Sequence, residues 1–255
     1  WQFVPRPSNR NIISGKWVFR HKFHSDGSLA RYKARWVCRG DSQQPGIDYD
    51  ETFSPVVKPS TIRVVLSLAT SSSWPIHQLD VKNAFLHGDL KETVDCSQPA
   101  RFIDSSHLDH VCLLHKSLYG LKQAPRTWFL RFKSFLLSLG FTAAKSDSSL
   151  FILHRGSSLA YLLVYVDDSI LTASTTQTLT TIIDALKREF SMSDLGLLHH
   201  YLGINVTPNS FGVFLHQQQY TLEILERANM LHCKPVSTHI DTTSKLSSHD
   251  GRLLS

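Results

Sequence analysis

The feature that most constrains this chain is a pair of adjacent aspartates, Asp167 and Asp168, inside an apolar stretch at 159–171. The apolar runs on either side predict two strands, and the acidic pair predicts a tight hairpin between them. Such a pair alone is more often a polar turn than a functional site, because Asp is a common turn residue. The context is more specific, since a third acid, Asp80, lies near the end of another predicted strand, 76–81.

We expect the three carboxylates to converge on one sheet edge if these strands are neighbours. Two unit charges 4 Å apart repel by about 4 kcal/mol at an effective dielectric near 20. An unrelieved cluster of three would cost on the order of a domain's whole stability, so it must take up protons or bind cations. All-oxygen ligation without nearby Cys or His favours Mg²⁺, with Mn²⁺ as a substitute.

The other segments predict an α+β fold. From residue 76 onward the predicted order is strand, helix, strand, strand, helix, strand, which is a split βαβ arrangement with an antiparallel sheet and two helices on one face. The predicted strands are 76–81, 150–154, 159–166, 169–172 and 202–206, and the predicted helices are 60–71 with Ser60 as N-cap, 125–139 ended by Gly140, one around 179–190, and 220–231 with Leu222, Leu225 and Leu231 as packing positions.

Near the N-terminus, Asp26-Gly27 predicts a two-residue hairpin between two extended runs. One face of the second run carries Arg31, Lys33 and Arg35. Asp26 is the one acidic residue in this segment, which carries seven basic residues: Lys16, Arg20, Lys22, Arg31, Lys33, Arg35 and Arg39. One-sided basic strands with interleaved aromatics suit a phosphate backbone. The alternative interpretation is a solvated sheet face.

Composition supports a polyanionic partner. The formal charge is +6 and the pI about 9.2, which favours nucleic acid first and an anionic membrane surface second. Four dispersed cysteines without a C-x-x-C pair argue against a zinc site or disulfide framework and favour a reducing compartment. No apolar run is long enough to span a bilayer, and no signal peptide opens the chain. Because it starts at Trp1, we expect a piece of a longer protein.

Six ordered stretches from about Trp1 to Pro235 resemble the reverse transcriptase domain of copia-type LTR retrotransposon polyproteins. They are KWVFRHKFHSDGSLARYKARWVCRG, YDETFSPVVKPSTIRVVLSLA, HQLDVKNAFLHGDL, VCLLHKSLYGLKQAPRTWF, LLVYVDDSIL and DLGLLHHYLGINV. The resemblance implies a right-hand polymerase. Its regions would be fingers at 1–75, a palm at 76–210 with fingers elements interleaved near 90–125, the start of a thumb at 211–236, and a truncated polar linker at 237–255.

The resemblance also implies roles for individual residues. Asp80, Asp167 and Asp168 correspond to the catalytic, metal-binding aspartates, with Val81 beside them at the metal. Phe85 falls at the aromatic position under the incoming sugar. The implied nucleotide-binding set is Lys33, Arg35, Val81, Lys82, Asn83, Ala84, Phe85, Tyr119, Gly120, Lys122 and Gln123, in which the backbone N–H groups of 81–84 would meet the triphosphate. Leu202 and Gly203 are similar to the hairpin that grips the primer end.

By the same resemblance the activity would be RNA-directed DNA synthesis with Mg²⁺ or Mn²⁺. The partners would be an RNA template, a DNA primer and deoxynucleoside triphosphates, with integrase and RNase H regions on the same precursor and no membrane. The location would be the cytoplasm, in virus-like particles if the element is active. The metal pair would activate the primer 3′-hydroxyl and steady the leaving pyrophosphate.

Several positions depart from the family pattern. Asp95, Cys96, Ala100 and Arg101 stand in unexpected places in VDCSQPARF, and Asn205 replaces an acid. Two further interpretations therefore stay open beside an active polymerase core. One is a non-catalytic nucleic-acid-binding remnant, and the other is an inactive fragment of a decayed element.

Overall fold

The computed structural model describes residues 1–24, 26–209 and 212–234, which form a mixed α/β structure with four helices and four sheets. In chain order the elements are β1 (Gln2–Pro5), β2 (Ile12–Ile13), β3 (Gly15–Phe23), β4 (Leu29–Cys38), α1 (Pro59–Ser71), β5 (Ile76–Val81), β6 (Asp89–Cys96), β7 (His110–Lys116), α2 (Ala124–Ser138), β8 (Thr142–Ala143), β9 (Leu150–Arg155), β10 (Ser158–Tyr165), β11 (Asp168–Ala173), α3 (Thr176–Glu189), β12 (Met192–Leu197), β13 (His200–Tyr201), β14 (Ile204–Asn209), β15 (Gly212–His216) and α4 (Gln218–Arg227). Short 3₁₀ turns lie at Gly40–Ser42 and Ala84–His87.

The largest sheet has six strands in the order β12-β5-β11-β10-β9-β8, and every neighbouring pair is antiparallel. Its strands are apolar on both faces because both faces are covered. On one side Leu79, Leu162 and Leu171 pack against α2 and α3. On the other side Leu163 and Ile170 pack against α1 and the three-stranded sheet β13-β14-β15. The sheet is therefore a rigid support between two cores.

Helix α2 confirms the clearest helical prediction. Proline occupies its first turn, and Gly140 follows its end with a φ of 94° that favours glycine. Trp128, Phe132 and Leu136 are fully buried on one stripe. This stripe fixes α2 against the six-stranded sheet.

The predicted N-cap of α1 is wrong. The helix begins at Pro59, and Lys58 is the N-cap without a side-chain capping bond. Proline suits the first helical position because its φ is already set and its missing N–H would have no partner there. Ser60 therefore lies inside the first turn, while the predicted apolar stripe is buried as expected: Ile62, Val65, Leu66 and Ala69.

A second sheet, in the order β1-β7-β6-β2, was not foreseen in the sequence. It contains the unusual Asp95, whose side chain is fully buried in β6. The guanidinium of Arg10 lies 3.2 Å from one Asp95 oxygen, which compensates the buried charge. Cys38 and Cys96 are buried nearby with their Sγ atoms 3.6 Å apart as free thiols.

Strands β3 and β4 form the predicted hairpin, but the two-residue turn at Asp26-Gly27 is wrong. Residues 24–28 separate the strands, and Ser25 among them lies outside the described residues. The Asp26 carboxylate accepts hydrogen bonds from the Ser28 backbone N–H and hydroxyl. This side-chain-to-backbone turn is a local alternative to the expected two-residue connection.

The C-terminal predictions need the largest corrections. The predicted strand 202–206 is β14, which pairs in the small sheet, and β12 takes the edge beside β5 in the six-stranded sheet. The predicted helix 220–231 is α4, which ends at Arg227, so Leu231 lies beyond it. Leu222 and Leu231 are exposed and Leu225 is partly buried, and no described helix or strand packs extensively against α4. The predicted linker at 237–255 and the last residues of the predicted thumb lie outside the described residues.

None of the four helices in the described part of the chain has the length and apolar character needed to cross a membrane.

Candidate active site

The three aspartates are brought to one edge of the six-stranded sheet. Asp80 in β5 lies directly opposite Asp168 in β11, and Asp167 stands in the turn between β10 and β11. The backbone N–H of Val81 donates to the Asp167 carbonyl at 2.8 Å, which ties the hairpin tip to β5. The convergence expected from the sequence is therefore present in the backbone register.

Burial and mutual repulsion disfavour the charged forms of these acids. Burial raises the pKa of Asp80, and the nearby Asp167 carboxylate raises it further. The pKa of Asp168 is likewise raised by burial and then by Asp167 and Asp80. Among the described residues no group of three or more His, Cys, Asp or Glu side chains is arranged so that it could hold a metal ion. The chemistry of the three carboxylates, which are oxygen donors that repel one another, is the kind that suits divalent cations such as Mg²⁺.

We predict that Asp80→Asn raises the melting temperature of the metal-free chain at pH 7 by about 2–4 °C, roughly 1 kcal/mol after allowance for solvent screening. A raised folded-state pKa means that the folded chain binds more protons than the unfolded chain. Stability is then lost as pH rises from the unfolded pKa, about 3.9, through the folded pKa.

The neutral amide removes this loss, so the difference between variant and parent should grow with pH over that window. Asp184→Asn, at an exposed position of α3, is the matched control and should give no gain. Saturating Mg²⁺ should stabilise the parent more than Asp80→Asn. A melting temperature of Asp80→Asn equal to or below that of the parent would show that burial and the neighbouring Asp167 do not raise the Asp80 pKa in the folded chain.

One residue on the basic face of the β3–β4 hairpin, Lys33, interacts electrostatically with Asp80. The strand register places Arg20 opposite Lys33 and Lys22 opposite Arg31, so their side chains share one face. Burial lowers the pKa of Lys33, and the like charge of Arg35 adds to this effect. The Asp80 carboxylate acts in the opposite direction and raises the Lys33 pKa, so Lys33 lies within electrostatic reach of the acidic edge.

Replacing Lys33 and Arg35 together by Ala should flatten the salt dependence of RNA–DNA duplex binding. If both side chains contact phosphate, the slope of log K against log salt falls by about two ion equivalents. Lys187→Ala with Arg188→Ala removes the same charge from exposed positions of α3 and serves as control. An unchanged slope in the Lys33/Arg35 variant would mean that the hairpin face is only a solvated surface.

Phe85 belongs to a stack of side chains that connects three elements. The Arg35 guanidinium lies 4.9 Å from the centre of the Tyr119 ring, and that ring lies 5.0 Å from the ring of Phe85. The Phe85 carbonyl accepts a hydrogen bond from the Ser117 hydroxyl. These contacts hold Phe85 in place within the 3₁₀ turn that follows Asp80. The buried Nε of Arg35 has no hydrogen-bond partner among the described residues.

The residues after Asp80 only partly match the expected triphosphate cradle. The N–H groups of Val81 and Lys82 donate to the carbonyls of Asp167 and Ser191, so both are used within the protein. Asn83 has a left-handed φ of 54°, and Ala84 is buried at the start of the 3₁₀ turn. The role of the four N–H groups toward a triphosphate stays a prediction, and in this structure those of Val81 and Lys82 have protein partners.

The segment that begins at Tyr119 is built around close backbone packing. A Cβ on Gly120 would lie 2.0 Å from the Cys38 carbonyl oxygen, so only glycine fits. Gln123 is fully buried, and its amide binds Gln43 and the Asp48 carbonyl. The buried Gln123 side chain therefore stabilises this segment through its hydrogen bonds to Gln43 and Asp48.

Lys122 and the predicted primer-contact residues lie on the surface around the site. The Lys122 ammonium lies 3.2 Å from the Tyr49 hydroxyl and above the same ring. Leu202 and Gly203 form the turn between β13 and β14, with φ values of 49° and 79°. Tyr201, just before this turn, is buried close enough for Asp168 to contribute to raising its pKa, after burial itself. The turn thus adjoins the acidic edge.

Sequence reasoning missed several residues around the aspartates. The Gln78 side chain lies close enough to Asp168 to lower the pKa of that carboxyl, against the larger effect of burial, and strand alternation could have revealed Gln78 because it lies two residues before Asp80. The indole N–H of Trp128 donates to the Val166 carbonyl at 2.6 Å. No local signal could have revealed that bond, since 38 residues separate the two.

The chain is similar to known polymerase proteins over its whole length. The family described as reverse transcriptase (RNA-dependent DNA polymerase) matches residues 1–242. Retrovirus-related Pol polyproteins from transposons RE2 and RE1 of Arabidopsis thaliana are 49% and 48% identical over 255 residues, 100% of this chain and 18% and 17% of those proteins. The retrovirus-related Pol polyprotein from transposon TNT 1-94 of Nicotiana tabacum is 41% identical over 250 residues, which are 97% of this chain and 19% of the polyprotein. The chain thus spans less than a fifth of these relatives.

Proposed function

The chain belongs to the reverse transcriptase (RNA-dependent DNA polymerase) family, in its copia-type retrotransposon branch, and from that premise we propose that it is the RNA-directed DNA polymerase core of such an element. The observation that carries the proposal is the register that sets Asp80 opposite Asp168 with Asp167 in the adjoining turn. The family membership confirms the resemblance seen in the sequence, and the activity of this chain is the proposal.

The six-stranded sheet with α2 and α3 would be the palm. The basic β3–β4 hairpin and the β1-β7-β6-β2 sheet would be the fingers, and α4 would begin the thumb. This division keeps the predicted regions, in which fingers elements are interleaved in the palm near 90–125, and β6 and β7 at 89–116 would be those elements. The hairpin supports it because its half-buried Lys33 lies within electrostatic reach of Asp80.

The chemistry would be nucleotidyl transfer onto a primer 3′-hydroxyl. Asp80, Asp167 and Asp168 would hold divalent metal, which supplies activation of the hydroxyl and charge stabilisation at the leaving group. The basic hairpin face would bind the phosphate backbone, as its one-sided charge suggests. Phe85 would lie under the incoming sugar, where a fixed aromatic ring excludes a 2′-hydroxyl.

We propose an RNA template, a DNA primer and deoxynucleoside triphosphates as partners. Integrase and RNase H regions would flank this region on a longer precursor, consistent with relatives named as Pol polyproteins. Activity would take place in the cytoplasm, within virus-like particles.

Primer extension on an RNA template by the purified chain tests the proposal. We expect products of full template length with Mg²⁺, none with EDTA, and recovery with added Mg²⁺ or Mn²⁺. A chain that unfolds cooperatively and binds duplex but never extends the primer would be the non-catalytic remnant. A chain without a cooperative unfolding transition would be an inactive fragment.

A further inference from the structure

The tip of the β10–β11 hairpin holds Val166 in an unusual backbone conformation. Its φ is 52°, in the left-handed region that a β-branched side chain rarely adopts. Val166 directly precedes Asp167, so its backbone decides where the next two carboxylates point. A conformation with this cost persists only where the surrounding structure enforces it.

Val166 is the first central residue of a two-residue turn between the paired Tyr165 and Asp168, where positive φ is favoured, and two hydrogen bonds from other elements hold this turn in place despite the β-branched side chain. The Trp128 indole N–H in α2 donates to the Val166 carbonyl at 2.6 Å. The Val81 backbone N–H in β5 donates to the next carbonyl, that of Asp167, at 2.8 Å. Two consecutive carbonyls of the tip are therefore held from two sides, and the second bond comes from the strand that carries Asp80.

Trp128 is itself held firmly. Its side chain is 1% exposed and stacks on Phe132 with ring centroids 5.0 Å apart. Phe190 meets it edge-on at 5.3 Å, and His87 lies 5.7 Å away. His87 follows β5 and Phe190 precedes β12, so the indole is enclosed by residues flanking two strands of the site's own sheet. The donor cannot turn away without disturbing this core.

We propose that Trp128 is a positioning residue for the polymerase reaction. Its indole N–H holds Val166 in the left-handed conformation and thereby fixes Asp167 and Asp168 opposite Asp80. Trp128 contacts no substrate in this role. The inference rests on the proposed function, but the clamp itself is a property of the hairpin that can be measured without activity.

The competing interpretation is that Trp128 only fills the core. The two differ in which part of the side chain matters, since packing uses the ring and the clamp uses the N–H. Trp128→Phe keeps an aromatic ring and removes the donor. Val166→Gly removes the backbone cost, because glycine adopts positive φ readily. Phe132→Leu disturbs the same aromatic cluster without touching the hydrogen bond, and is the matched control.

We expect Trp128→Phe to lower the rate of single-nucleotide addition about tenfold, while the Kd for primer–template stays within about threefold. In a Val166→Gly background the same substitution should lower the rate less than about threefold, because glycine needs no clamp. Phe132→Leu should cost the same factor in both backgrounds. An equal loss for Trp128→Phe in both backgrounds would overturn the proposal.

A spectroscopic measurement separates this proposal from the polymerase proposal. The ¹³Cα and ¹³Cβ shifts of Val166 in the metal-free chain should report positive φ in the parent and in Phe132→Leu, and negative φ in Trp128→Phe. Should Trp128→Phe fail to fold, benzothienylalanine at position 128 replaces the N–H by sulfur and keeps the shape. If the Val166 shifts of Trp128→Phe equal those of the parent, the clamp is overturned whether or not the chain is a polymerase. If the Val166 shifts change on Trp128→Phe but the parent chain synthesises no DNA, the clamp stands and only the polymerase proposal is overturned.

Discussion

Asp167→Asn should abolish primer extension while leaving affinity for primer–template within a few-fold of the parent. The carboxylate would hold catalytic metal, whereas affinity comes mainly from basic side chains on the hairpin face. Asp80→Asn should behave in the same way, because Asp80 lies opposite Asp168 at the same sheet edge. The two measurements are the extension rate and the Kd for an RNA–DNA duplex at fixed salt.

Asp184→Asn is the control, since it removes one acid from an exposed helical position and should change neither quantity. We expect the rate of either active-site variant to fall at least about a hundredfold, the loss typical when a group that stabilises transition-state charge is removed. Extension above about a hundredth of the parent rate in Asp167→Asn or Asp80→Asn would refute the metal assignment.

Phe85→Val should raise ribonucleotide incorporation relative to deoxynucleotide at least about tenfold, equal to roughly 1.4 kcal/mol of lost discrimination. The ring of Phe85 is held against Tyr119, and its carbonyl is held by Ser117, so its position is fixed. Under the proposed function a ring fixed at this position would leave no room for a 2′-hydroxyl, and a shorter side chain would open that space. The incorporation rates of both substrates are measured on one preparation.

A purely structural Phe85 would behave differently. Truncation would lower stability by about 1–4 kcal/mol and depress both substrates together. Phe135→Val is the matched control, because Phe135 is also partly buried and packs against the same core cluster as Phe85. That variant should lose stability without any change in sugar selectivity. A Phe85→Val variant with a lower melting temperature and an unchanged selectivity ratio would make Phe85 an ordinary core residue.

Local patterns were sufficient to predict the part of the fold that carries the acids. Strands β10 and β11 have apolar runs, β5 alternates Leu79 and Val81 with polar residues, and the aromatic stripe of α2 has helical spacing, so each could be predicted from its own residues. The neighbouring position of β5 and β11 was only a condition of the expected convergence, and their pairing in the six-stranded sheet meets it. These elements depend on burial that is visible in the local sequence.

Elements with little apolar pattern were not predictable. β12 has the sequence MSDLGL and is only partly buried at the sheet edge, so its pairing with β5 left no local signal. The α1 N-cap was misassigned because Pro59 overrides the preference for serine. Contacts between distant segments were also hidden, such as the bond from Trp128 to Val166 and the internal pairing of Gln123.

The measurement that tests the central claim most directly is single-nucleotide addition opposite each of the four RNA template bases. The purified chain is mixed with primer–template, Mg²⁺ and one deoxynucleotide at a time. We predict that each template base directs addition of its complementary deoxynucleotide and that Asp167→Asn adds none. Addition that ignores the template base, or no addition by a folded chain that binds the duplex, would contradict template-directed synthesis at Asp80, Asp167 and Asp168.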